Sequence, residues 1–274
     1  MKNTPVILLI ISMTALSCGS QNLKDKIPSF FKETGNTNSI EAQETAGYSC
    51  VRSIPVPAGY SRVGVEKDSF ADFLRSIELK TGDNRVYLYN GELKWNQSAQ
   101  FAVLKIDVGK KNLQQCADAV MRLRAEYLFE QKQYNKIHFN FLSDGKPRYF
   151  NNYAKGDFSY KKFREYMNYV FSYANTSSLK DELKKVTPVK NIQIGDVFVQ
   201  KGNPYGHAIT VMDIAKSESG EIIFLLSQSY MPAQDIHILK NPENESISPW
   251  YKLKTSGNLY TPEWTFTFDD LMRF

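Results

Sequence analysis

Gly195-Asp196-Val197-Phe198-Val199, Gly206-His207-Ala208-Ile209-Thr210-Val211 and Leu225-Leu226-Ser227-Gln228-Ser229-Tyr230 are apolar runs of strand length, separated by turn residues. They predict strands over residues 197–200, 207–214 and 222–229. Ser217-Glu218-Ser219-Gly220 makes the tight turn between the last two, and Gly202-Asn203-Pro204-Tyr205-Gly206 joins the first two. Together they read as an antiparallel β-meander.

Upstream of the meander the periodicity changes. Ala119, Val120, Leu123, Tyr127 and Leu128 recur at helical spacing and predict a long helix over about 113–134. Further helices are expected over 69–77, 163–173 and 179–185, a strand over 101–108, and a hairpin at Asn90-Gly91. The proline-bearing segment 51–65 reads as extended edge chain. Helices come first and sheet second, without βαβ repeats, so the fold class is α+β.

The 274 residues carry 42% hydrophobic and 23% charged side chains, enough for a buried core of domain size. The net charge of +5 is interspersed and shows no basic stripe, which argues against a nucleic-acid partner. Three cysteines are too few for a disulfide scaffold or a cysteine-rich zinc module, and three histidines show no ligand spacing. Neither a metal nor another cofactor is expected, and the chain is expected to act as a monomer.

The first cysteine belongs to an address. Met1-Lys2, an apolar run from Val6 to Ile11 and the small residues before Cys18 read as an export signal. The organisation expected is a signal peptide over 1–18, a tether over 19–48 and one folded domain over 49–274. Ala15-Leu16-Ser17-Cys18 resembles a bacterial lipobox, which implies acylation of Cys18 and a lipid-anchored envelope protein. An ordinary signal peptide cut nearby is the other reading. Gly19 lacks the aspartate of inner-membrane lipoproteins, so the resemblance implies the outer membrane.

Cys116 opens the predicted long helix, where unpaired N–H groups and the helix dipole favour a thiolate and lower its pKa. A small core residue is the alternative reading. His207 begins a strand after a glycine-rich loop, as a general base would. Antiparallel pairing brings it opposite residues 228–230, so Gln228 is the candidate for orienting the imidazole. Ser229 takes that place if the register slips by one. Gln115, Tyr205, Tyr230, Gln234 and His237 are candidate substrate-binding residues around the cleft, with His237 a second candidate base. A Cys50–Cys116 disulfide would abolish the nucleophile.

The order Cys116, His207, polar residue on the return strand resembles the NlpC-type papain-like amidases. That resemblance implies a papain-like core and a cysteine amidase or peptidase acting on a cell-wall peptide. The segments from Gln114-Gln115-Cys116-Ala117-Asp118 to Tyr127 and Ser229-Tyr230-Met231-Pro232-Ala233-Gln234 also resemble a family of Gram-negative lipoproteins of unknown function. A non-catalytic envelope protein holding a cell-wall or glycan ligand in the same groove is the competing expectation.

Overall fold

The computed structural model describes residues 47–202 and 204–274. The expected signal peptide, the Cys18 lipidation site and the tether up to residue 46 lie outside the described residues. Tyr48, placed in the tether by its sequence, stacks on Phe101 with ring centroids 5.8 Å apart, so packing begins before residue 49.

The helices are α1 (Phe70–Ser76), α2 (Cys116–Glu130), α3 (Phe150–Ala154), α4 (Tyr160–Phe171) and α5 (Thr176–Glu182). Ahead of the predicted meander the strands are β1 (Tyr60–Arg62), β2 (Gln100–Val103), β3 (His138–Asn140), β4 (Pro147–Tyr149) and β5 (Lys184–Lys185). Then follow β6 (Val197–Gln200), β7 (His207–Ser217), β8 (Ile222–Gln228) and β9 (His237–Leu239). Last come β10 (Tyr251–Lys252), β11 (Asn258–Tyr260), β12 (Thr265–Thr267) and β13 (Leu271–Arg273). The mixture of helices and antiparallel sheet is α+β.

The main sheet runs β2-β9-β8-β7-β6-β13-β5, with β1 added to β7 and β10 to β8. The expected meander is its centre: Val197 pairs with Thr210, and Thr210 with Ser227. The chain's last strand, β13, slots in beside β6. The Asn90-Gly91 hairpin shrinks to a single bridge between Tyr87 and Leu93. The next residue, Lys94, keeps its backbone bond to Val86 O at 2.9 Å while its side chain pairs with Glu263.

β7 carries a bulge between Val211 and Asp213. Ile209 and Val211 face one side of the sheet and, past the bulge, so does Ile214, while Met212 and Ala215 face the other. The bulge places Asp213, fully buried, within 2.6 Å of both Arg62 and Arg75. A buried carboxylate needs such partners.

α2 packs on the face of Ala208, Met212, Leu225 and Ile238. Its first half is enclosed, since Asp118 and Arg122 are buried with its apolar residues, whereas Glu130 at its end is exposed. Its outer face meets the aromatic residues of α3 and α4, with Phe150, Phe163 and Tyr166 at the centre. The opposite face of the sheet is covered by Phe266 and Phe268 from the C-terminal segment, packed on Phe198 and Ile209. Among the described residues no helix is long and apolar enough to cross a membrane.

Candidate functional site

Gln115 caps α2, and its N–H donates to Asp118 Oδ2 at 2.9 Å. That bond sets the helix start at Cys116, whose own N–H has no helical carbonyl to meet. Cys116 Sγ lies 4.0 Å from the carbonyl oxygen of Gly206. Gly206 is confined: a Cβ there would sit 2.2 Å from Gln200 O and 2.7 Å from Thr176 Oγ1, so only glycine passes. Cys50 and Cys116 are both free thiols.

The thiol pKa is pushed up to about 11, against the fall expected from the helix terminus. Burial is the main cause and Asp118 adds to it, while the N–H groups of Ala117, Ala208 and Cys116 itself pull the other way. Removal of the sulfur from water outweighs the helix end.

His207 Nε2 lies 2.9 Å from Gln228 Oε1, and both side chains are buried. The imidazole is walled by Tyr230, Trp264 and Phe266, with ring centroids 4.8, 5.2 and 5.7 Å away. Trp264 is held by a bond from its indole N–H to Gln200 Oε1 at 3.0 Å. Burial pushes the His207 pKa down to about 4, Gln228 opposes that shift, and Lys94 reinforces it.

Thiol and imidazole approach the mouth of β7 from its two sides. Alternation turns Ala208 toward α2 and His207 toward Phe266 on the other face. Among the described residues no hydrogen bond joins Cys116 to His207. They share the surroundings of Gly206, Ala208 and Tyr230. Register decides the orienting residue: Gln228 shares the face of His207, whereas Ser229 faces α2 and donates to Gln114 O at 3.1 Å.

Behind Gln228 the polar chain continues. Its amide nitrogen lies 2.6 Å from Glu263 Oε2 and 3.3 Å from His237 Nε2. Glu263 is paired with Lys94 at 2.5 Å and accepts from Asn96 Nδ2 at 3.1 Å. His237 Nδ1 lies 2.9 Å from the carbonyl of Asp235. His237 is fully buried, with its pKa pushed down to about 3, chiefly by burial.

A cleft of about 240 Å³ opens at the sulfur, lined among others by Asn112, Gln115, Cys116, Asp118, Asn175 and Tyr205. Gln115 and Tyr205 thus border it, and Tyr230 stands against His207. Gln234 and His237 do not line the cleft: both are buried, and Gln234 is tied to Pro232 O at 3.0 Å. Sequence reasoning missed Asp118, Lys94, Glu263 and Trp264. Tyr260-Thr261-Pro262-Glu263-Trp264 lies beyond the meander, and no spacing links it to His207. Among the described residues no group of three or more His, Cys, Asp or Glu could hold a metal ion.

Fold and site define an α+β protein with a buried polar cluster beside a cleft bordered by Cys116. The chain belongs to the family described as a domain of unknown function (4846), matched over residues 51–158 and 144–273. No curated protein and no solved structure matches it.

Proposed function

We propose that the protein is a cell-envelope cysteine hydrolase with a papain-like core, cleaving an amide or ester through an acyl-enzyme at Cys116. The observation that supports this reading is the buried His207–Gln228 hydrogen bond behind an aromatic wall, at the strand mouth where the Cys116 sulfur also lies. With the thiol pKa raised and the imidazole pKa lowered, the resting pair is neutral. The S–H proton therefore passes to His207 as sulfur attacks the carbonyl carbon, and unpaired N–H groups at the start of α2 hold the oxyanion. His207 returns the proton to the leaving amine or alkoxide. It then takes one from the water that hydrolyses the thioester. Turnover by this route requires the two groups, which reach the mouth of β7 from opposite faces, to come together when substrate binds.

The lipobox-like Cys18 and the resemblance to envelope amidases support a peptidoglycan peptide as substrate and a lipid-anchored monomer at the outer membrane as the working form. Purified muropeptides provide the test. Product formed by the wild type and lost in Cys116→Ala supports the hydrolase, and absence of product from both refutes it.

The missing thiol–imidazole bond and the raised thiol pKa favour a second reading, a ligand-binding groove without turnover. Muropeptide retained equally by wild type and Cys116→Ala, with no product, is its signature.

A further inference from the structure

Gln228 sits among three partners whose hydrogen-bonding capacities leave its amide one orientation. An amide offers two N–H donors on nitrogen and an acceptor oxygen, whereas a carboxylate only accepts. Three donors converge on Glu263: Lys94 Nζ, Asn96 Nδ2 and Gln228 Nε2. The amide nitrogen of Gln228 therefore faces Glu263. Its second N–H points to His237 Nε2, which must accept, because His237 Nδ1 is spent donating to the carbonyl of Asp235. Only Oε1 remains for His207, so His207 Nε2 must carry the proton of that bond. The lone pair of a neutral imidazole then resides on Nδ1, which makes no hydrogen bond among the described residues.

We propose that Glu263, pinned by Lys94, is a positioning residue that dictates the tautomer of His207 through Gln228. The two buried imidazoles are held as opposite tautomers, His207 protonated on Nε2 and His237 on Nδ1. Turned end for end, the Gln228 amide would present N–H to His207 and move its proton to Nδ1. That nitrogen could then no longer receive a thiol proton. The catalytic consequence rests on the hydrolase reading, whereas the tautomer assignment stands apart from it.

Two-bond ¹H–¹⁵N correlation spectra of the full chain, ¹⁵N-labelled at histidine, read the tautomers directly. The chain has three histidines, so His138→Gln and His237→Gln suffice to assign the peaks. The wild type at pH 7 is expected to show His207 protonated on Nε2 and His237 on Nδ1. The same tautomer on both, or Nδ1–H on His207, overturns the proposal without any variant at Glu263. In Glu263→Gln a single oxygen cannot satisfy three donors, and the pure Nε2–H signature of His207 is expected to be lost. Glu263→Asp keeps an acceptor-only group and is expected to restore it in part. An unchanged His207 spectrum in Glu263→Gln overturns the proposal. Muropeptide turnover in Glu263→Gln is expected to fall about 10²-fold in kcat with KM little changed. Opposite tautomers together with no wild-type turnover would refute the hydrolase reading and leave the tautomer assignment standing.

Discussion

Ser229 Oγ lies 3.1 Å from the carbonyl oxygen of Gln114 and 2.9 Å from that of Gln234, tying the end of β8 to the loop before Cys116. This contact aims Ser229 at α2 and Gln228 at His207. Ser229→Ala is expected to destabilise the fold by about 1–3 kcal/mol, because the single O–H shared by the two carbonyls is lost. Gln228→Ala is expected to abolish most Cys116-dependent turnover, by about 10²-fold or more. Urea midpoints and muropeptide rates for the two variants test this. The reverse pattern would mean that the register is misread.

Reactivity of Cys116 should follow its raised pKa. With the thiol near 11, iodoacetamide adducts at Cys116 are expected to form slowly at pH 6 to 8 and to accelerate toward pH 11. Intact-mass spectra across that range give the profile, with Cys50 assigned by peptide mapping. Asp118→Asn removes one of the causes and should shift the profile to lower pH. Rapid alkylation at pH 6 would instead indicate a thiolate and contradict the neutral resting pair.

His207 and His237 bear on acid stability. In the unfolded chain an imidazole takes up its proton near 6.5, whereas the folded groups resist until about 4 and about 3. Below pH 6.5 the unfolded state therefore binds more protons, and stability drains as pH falls toward those values. His207 alone accounts for about 3 kcal/mol of loss by pH 4. Urea unfolding at pH 7 and pH 4.5 should show a smaller loss in His237→Gln than in the wild type. Equal losses would contradict the buried, neutral imidazole.

The bulge in β7 carries its own test. Asp213→Ala leaves Arg75 buried without its carboxylate, and Arg62 loses the same partner. A loss of about 3–5 kcal/mol is expected, since breaking a buried pair strands a charge. Asp72→Ala removes a more exposed partner, of Arg52, and should cost under about 1 kcal/mol. Comparable effects from the two would show that burial does not set the cost.

Legibility followed the range of each signal. Strand-length apolar runs and helical spacing are local, and they marked β6, β7, β8 and α2. The predicted start of α2 was three residues early, because Asp118 caps back to Gln115 and ends the preceding turn there. The hairpin at Asn90-Gly91 carried a strong turn signal, yet only one bridge forms across it, and Leu88 and Tyr89 pair with Gln234 and Ala233 from beyond the meander. The helix-end argument for Cys116 was sound locally and lost to burial, which no local pattern reports.

From the chain alone follow the α+β class, the central meander and the pairing of His207 with a polar residue on the return strand, since alternation and turn chemistry act between near neighbours. Tertiary packing decided the rest. It turned His207 to the face away from α2 and closed that face with Trp264 and Phe266. It also brought Glu263 and Lys94 behind Gln228. Which face a strand end presents, and which distant carboxylate answers a buried amide, depend on how layers stack and exclude water, and no spacing along the chain encodes that.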